Sequence, residues 1–413
     1  MMKKFGALFI VQGINYVSPL ILIPVLTHRL GVAAWGKISI LISLTVFSLV
    51  FIEYAFHLSG VRAVAQCKND EEELNGLFVN VVGAKFILGL MFSTLSCILY
   101  FYFLSSYINE IEFLSWLLST IAQSQTGAWY FQGQQRSVLG FGMEAASRLI
   151  STVLAIIVVH VPSDIWKYFI SIAIGWAPGI LFSMFRAHFF KSLSFFSIRD
   201  VYKLLVSGFN AFLLNAWGAF FVSMPTIVLS KVVSLEVVGY FSLADKIVRA
   251  MYGIYVPFHT YLFPKIARLA IENKDAAALY VARGLKVCIV SGILVSLSIF
   301  LLADNIIVFC FGVDFFPASS VLKMYSLMPT ILVINSILVV QWMVNLSVER
   351  IYNKWNVIFG FLKLFLVAWL GVRFGAEGAV IAISSSDAAC LLASYFSLKK
   401  IGLTPFVCEL KNV

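Results

Sequence analysis

The sequence predicts an all-α integral membrane protein of about twelve transmembrane helices in two six-helix halves. Three observations carry that prediction: a composition too apolar for a water-exposed surface, a succession of apolar runs of spanning length, and a self-similarity between the halves. Of 413 residues, 61% are hydrophobic and 12% charged, about half the charged share of a soluble domain. A globule of this size built from that composition would lack a polar coat, so the chain belongs in lipid. Lys3 and Lys4 precede the first run, but Phe5 to Leu26 is too long for a signal-peptide core and no small-residue cleavage site follows. The first helix is therefore expected to stay.

A helix needs roughly 20 mainly apolar residues to cross the bilayer core. Such runs lie at 5–27, 36–60, 77–104, 113–131, 141–161, 166–187, 204–229, 239–263, 285–303, 319–345, 356–372 and 378–397. With the N-terminus inside, the inner connections hold Arg62, Lys68, Arg136, Lys191, Arg199, Lys203, Lys265, Arg268, Lys274, Arg283, Arg350, Lys354, Lys399, Lys400 and Lys411. The outer ones hold Arg29, Lys167, Lys231 and Arg373. The positive-inside rule then places both termini in the cytoplasm. The net charge of +10 is spread between spans and is assigned to topology, not to nucleic acid. No connection is long enough for a domain, the widest being 264–284, so any chemistry is expected within the membrane.

The chain resembles itself at a shift of 203 residues: Leu26-Thr27 matches Leu229-Ser230, Gly36 matches Gly239, Ser39 matches Ser242, and Arg62 matches Lys265. Six spans per half is an even number, so both halves share one orientation, and a substrate path between them is expected. This divides the chain into an N-terminal lobe 1–190, a cytoplasmic linker 191–203, a C-terminal lobe 204–397 and a cytoplasmic tail 398–413. The first helix of each half carries proline near its outer end (Pro19 and Pro24; Pro225), where a missing amide donor permits a kink.

Ionisable residues inside hydrocarbon normally face a cavity, pair, or snorkel to an interface. On the eighth span Asp245 and Arg249 are four apart and share a face, whereas Lys246 points about 100° away and needs a partner. Glu144 and Arg148 form another four-apart pair on the fifth span, and Lys363 and Asp387 are expected to meet across spans eleven and twelve. Lys37, Lys85 and Lys323 are within reach of an interface, while Glu53 has no obvious partner in its own helix. Gly31 to Lys37 has the spacing of a phosphate-binding loop, but Ile38 stands where Ser or Thr is required and the flanks are membrane helices. The six cysteines and five histidines have neither disulfide nor metal spacing, so no metal or cofactor is expected. Asn345-Leu346-Ser347 fits a glycosylation acceptor at the cytoplasmic end of a span, where it should be silent.

Ordered short motifs run along the chain. Asn15-Tyr16-x-x-Pro19-Leu20 continues to Pro24-x-Leu26-x-x-Arg29-Leu30-Gly31 and Gly36. Tyr54-x-Phe56-x-x-Ser59-x-x-Arg62-x-x-Ala65, Trp129-x-Phe131-Gln132-Gly133, Pro264-Lys265-x-x-Arg268 and Gly375-Ala376-x-Gly378-Ala379 follow. In that order they resemble the O-antigen flippases called Wzx, within an exporter superfamily shared with drug/cation antiporters and lipid II flippases. The resemblance implies a V-shaped two-lobed fold, no enzymatic activity, and a flippase that moves undecaprenyl-pyrophosphate-linked oligosaccharide to the periplasmic leaflet by alternating access.

It implies the lipid-linked oligosaccharide and membrane lipids as partners, with the polysaccharide polymerase machinery a further candidate. A pyrophosphate carries about two negative charges that Lys and Arg facing a wet cavity would compensate. Lys246, Arg249, Arg29, Lys37, Asn15, Arg62 and Lys265 are the candidate substrate-binding residues, and Asp245, Glu53, Asp387, Glu144 and Arg148 the candidates for coupling or charge balance. Gln123, Gln125, Asn210, Asn215, Trp129 and Trp217 are candidates for sugar contacts. A multidrug or cation antiporter of the same superfamily is the alternative, though it would want a carboxylate-dominated cavity. From other classes come a polysaccharide polymerase or glycosyltransferase, which usually carries a large outer loop, and a non-transporting scaffold.

Overall fold

The computed structural model describes residues 2–67, 71–105 and 107–405, and of these the side chains of 2–17, 103, 104 and 214 lie outside the description. Among the described residues the chain is helical throughout, without strands. It forms two compact units that divide between Ser223 and Met224. The first holds α1 (Met2–Glu53), α2 (Phe56–Gln66), α3 (Glu71–Leu99), α4 (Glu110–Ser124), α5 (Ala128–Gly133), α6 (Ser137–Val158), α7 (Ile165–Arg186) and most of α8 (Ile198–Ser230). The second holds the end of α8, then α9 (Leu235–Gly253), α10 (Val256–Glu272), α11 (Lys274–Phe311), α12 (Ala318–Tyr325), α13 (Met328–Asn335) and α14 (Arg350–Lys400).

Among the described residues, seven helical stretches are long and apolar enough to span a membrane, and a bent pair within α8 makes up to eight. The twelve runs of the sequence fit these elements. The stretch Ser18–Gln66 takes in the end of the first run and all of the second, and Arg350–Lys400 contains the last two, joined end to end. The runs at 113–131 and 239–263 fall on α4, which has 15 residues, and on α9, which carries Glu236, Asp245, Lys246 and Arg249. The first is too short, and the second too charged, to register as a span by itself.

Glycine makes the joints inside the two longest helices. Gly31 (φ 77°) divides the first two runs and Gly375 (φ 59°) the last two, in backbone regions that a β-carbon disfavours. A β-carbon on Gly378 would sit 2.2 Å from the Leu370 carbonyl oxygen, which shows how tightly the last joint folds. The bend of 53° in α8 falls at residue 214, between 198–213 and 215–230. It lies well before Pro225, where the sequence suggested a kink.

Small residues let helices approach where lipid offers no hydrophobic drive for association. In the first unit α6 packs on α7 through Ser147, Ser151, Gly175 and Gly179, and a β-carbon on Gly175 would lie 2.2 Å from Ser151 Oγ. In the second unit a core of Leu285, Cys288, Val333, Ile337, Trp342 and Met343 joins α11 to α13 and the π-helical turn after it. Trp342 Nε1 donates to the Leu403 carbonyl at 2.7 Å and fastens the segment that follows α14.

A β-carbon at Gly31 would meet no atom within 4 Å, so replacement there tests backbone strain alone. Gly31→Ala is expected to cost about 1–3 kcal/mol. Gly142→Ala, at an equally open but helical position, should gain about 0.5–1 kcal/mol. Thermal unfolding in detergent, with the two variants shifting in opposite directions, checks this.

Candidate functional site

The helical period places Asp245 and Arg249 on one face of α9, and Arg249 Nε donates to Asp245 Oδ2 at 2.7 Å. The hydroxyl of Tyr325, at the end of α12, donates to the other carboxylate oxygen at 3.3 Å. Asp245 is thus answered from its own helix and from a neighbour. Lys363 Nζ donates to Asp387 Oδ1 at 2.8 Å; the joint at Gly375 brings these two residues of α14 together, as the sequence expected. Asp387 also lies within electrostatic reach of Arg249 and Tyr325, so both ion pairs belong to one cluster. Lys246 is half-buried, with the Asp245 carboxylate and the Arg249 guanidinium in its field. Among the described residues it has neither a hydrogen bond nor an ion pair.

The first unit has its own cluster. Lys85 on α3 is 2% exposed and donates to the Ser124 and Thr126 carbonyls at 2.8 and 3.2 Å. Snorkelling, the expectation for this lysine, does not occur, because the ammonium takes up the carbonyls left open where α4 stops. Thr126 Oγ1 donates to Glu144 at 3.5 Å. Arg148 lies over the Trp176 ring, 5.9 Å from its centroid, and no Glu144–Arg148 ion pair forms among the described residues. Glu53, at the end of α1, lies in the field of Lys85, Glu144 and Arg148. Its partners sit on other helices, which is why none showed in its own.

The remaining candidates stand apart from these clusters. Arg29 donates to the Ile156 carbonyl and, at 2.8 Å, to that of Val159, so it caps the end of α6. Lys37 lies 3.7 Å from Glu112. Lys265 donates to the Tyr280 hydroxyl at 2.9 Å with its ammonium over that ring, and Arg62 is exposed on α2. The side chain of Asn15 lies outside the described residues. Lys323 pairs with Asp304 at 2.6 Å. Of the sugar-contact candidates, Trp129 is core, 2% exposed and stacked on Phe78. Gln123 and Gln125 bond within their own turn. Asn215 reaches His57 at 3.4 Å, and Trp217 and Asn210 are exposed.

Each of these clusters gathers two carboxylates and two cations, Glu53 and Glu144 near Lys85 and Arg148 in the first unit and Asp245 and Asp387 paired with Arg249 and Lys363 in the second. Lys246 stands beside the second cluster without a hydrogen bond or ion pair among the described residues. Tyr325 is the contributor that sequence reasoning missed, because a tyrosine among several serines and a threonine in an apolar run carries no spacing that ties it to Asp245 on another helix.

An all-helical membrane protein with this architecture has the exporter fold. A lipid II flippase in an inward-closed conformation superposes with a TM-score of 0.72 at 15% identity, covering 97% of this chain and 88% of its own. An inward-facing multidrug resistance transporter of the MATE family of the MOP superfamily gives 0.69 at 12% identity, covering 95% of each chain. The polysaccharide biosynthesis protein family matches residues 1–270, and the chain belongs to that family. A protein of Shigella dysenteriae named "Putative O-antigen transporter" is 23% identical over 405 residues, 97% of this chain and 100% of its own. One of the same name from Escherichia coli K12 is 24% identical over 392 residues, 94% of this chain and 93% of its own. The resemblance to Wzx-type flippases thus holds.

The Lys363–Asp387 pair gives a stability test. Lys363→Met leaves a carboxylate unanswered inside the membrane and should destabilise by roughly 3 kcal/mol. The double variant Lys363→Met, Asp387→Leu should recover most of that loss in membrane abundance and thermal stability.

Proposed function

We propose that this chain flips an undecaprenyl-pyrophosphate-linked oligosaccharide from the cytoplasmic to the periplasmic leaflet of the bacterial inner membrane by alternating access. Membership in the polysaccharide biosynthesis family and relatives named as O-antigen transporters support the transport of a polysaccharide precursor. The observation that carries the finer reading is Lys246. Its charge inside the membrane has no hydrogen-bonded or ion-paired partner among the described residues, while the charges around it are answered. An unanswered cation in a membrane is retained where an anion visits it, and a pyrophosphate crossing the bilayer is such an anion. Arg249, 39% exposed at its side chain even while bonded to Asp245, has donors left for the same group. A carrier of cationic drugs would find the opposite electrostatics here. The substrate lipid and the surrounding membrane lipids are the partners this requires, with the polysaccharide polymerase as recipient of the product.

Complementation of a flippase-deficient strain tests the reading. Lys246→Ala should reduce surface polysaccharide at least about tenfold, the loss of one charge-assisted contact, at near-normal protein abundance. Adding Arg249→Gln should deepen the loss but also lower abundance, because Asp245 then loses its ion pair, so activity is read per amount of protein in the membrane. Lys246→Arg should retain more activity than Lys246→Ala. Full polysaccharide from the double variant at normal abundance would show that the anion travels elsewhere.

The charge asymmetry of the connections supports cytoplasmic termini. A reporter fused after Val413 should accordingly be active only in a cytoplasmic form, and activity confined to the periplasmic form would overturn this topology.

A further inference from the structure

One end of the first unit carries a second arrangement of cations that the charge clusters do not use. The end of α2, the start of α3 and the C-termini of α5 and α7 enclose a cavity of about 640 Å³, among whose lining residues are Arg136, Arg186, His188, Tyr130 and Asn75. Loop charge assigns this end to the cytoplasm. Glu71 also lines the cavity, yet neither guanidinium forms an ion pair or hydrogen bond among the described residues. The phenol of Tyr130 lies in the field of Glu71, Arg136 and Arg186, which line the same cavity. Its hydroxyl donates to Asn75 Oδ1 at 3.3 Å, which leaves the Asn75 amide nitrogen as a further donor among the described residues.

The backbone at this cavity is specialised. Gln135 (φ 61°) and His188 (φ 46°) both adopt the left-handed conformation that glycine takes most cheaply. Each closes a helix: the Arg136 amide donates to the Phe131 carbonyl at 2.8 Å and the Phe189 amide to the Met184 carbonyl at 2.9 Å. The negative helix ends attract cations to this place. They do not explain why glutamine and histidine occupy both left-handed positions, where backbone strain is tolerated when a side chain is needed.

We propose that Arg136, Arg186 and His188 form a phosphate-binding pocket at the cytoplasmic face of the first unit, for a phosphate group carried by lipid. Two guanidiniums offer bidentate donors to phosphate oxygens, and Tyr130 and Asn75 can serve the group esterified to it. The same chemistry fits the phosphate of an anionic phospholipid and the pyrophosphate of a polyprenyl carrier. The pocket lies in a different unit from Lys246 and does not rest on the flipping mechanism proposed above.

The test uses the full chain in nanodiscs of phosphatidylcholine, with labelled inorganic pyrophosphate as the probe. A background carrying Lys246→Ala and Arg249→Gln removes the α9 cations from the measurement. Saturable binding should persist in that background and weaken at least about tenfold on adding Arg136→Gln and Arg186→Gln. Arg136→Lys with Arg186→Lys should restore part of it, which separates lost recognition from a lost fold. Repeating the measurement in phosphatidylglycerol nanodiscs tells the sources apart: displacement of pyrophosphate by that lipid assigns the pocket to membrane phospholipid, and undiminished binding assigns it to the pyrophosphate carrier. Absence of saturable binding in the background, or binding that the glutamine substitutions leave unchanged, would overturn the proposal.

Discussion

A charge inside a bilayer costs several kcal/mol unless another group answers it, and the internal order of both units follows from that requirement. In the first unit, Lys85 draws α3 to the broken end of α4, and Glu144 meets the threonine at the same break. In the second, Asp245 receives Arg249 from its own helix and Tyr325 from α12, while Lys363 and Asp387 hold the two arms of α14 together. Pairing of this kind constrains helices more narrowly than apolar packing does, because lipid tails compete well for apolar faces and poorly for ions. Lys246, half-buried beside Asp245 and Arg249, has no such answer among the described residues.

Much of the architecture was legible because hydropathy is a local property. Ten of the twelve runs coincide with long apolar helical stretches, and the other two fall on α4 and α9. Pairing was legible where spacing or adjacency constrains it, as for Asp245 with Arg249 and Lys363 with Asp387. It was not legible where partners come from distant helices or from backbone. Lys85 has Ser124 and Thr126 carbonyls as its partners, and no sequence pattern encodes a free carbonyl. Glu144 and Arg148 have the right spacing, yet Thr126 and Trp176 compete for them. The bend in α8 lies at residue 214, where no proline marks it.

The motifs that carry the family resemblance have a different origin from the charges. Gly31 and Gly375 sit at joints with positive φ, and Tyr54 and Ala55 are left-handed where α1 gives way to α2. A β-carbon on Gly133 would fall 2.5 Å from Val64, at the contact between α5 and α2. These positions preserve geometry: where the chain turns and where helices touch. The buried charges stand at other positions, on α9 and in the second arm of α14 among them, and a resemblance drawn from joints identifies the fold more securely than the cargo.

The lysine in α3 bears on how the protein enters the membrane. With 15 residues, α4 is about 22 Å long at 1.5 Å per residue, short of the roughly 30 Å hydrocarbon core. Its last carbonyls would meet lipid unanswered if it partitioned alone. Lys85, for its part, is a charge that α3 cannot carry comfortably into lipid by itself. Each segment supplies what the other lacks, so the two are suited to leave the translocon as a hairpin. One ammonium group thus couples the integration of two helices, neither of which suits lipid by itself.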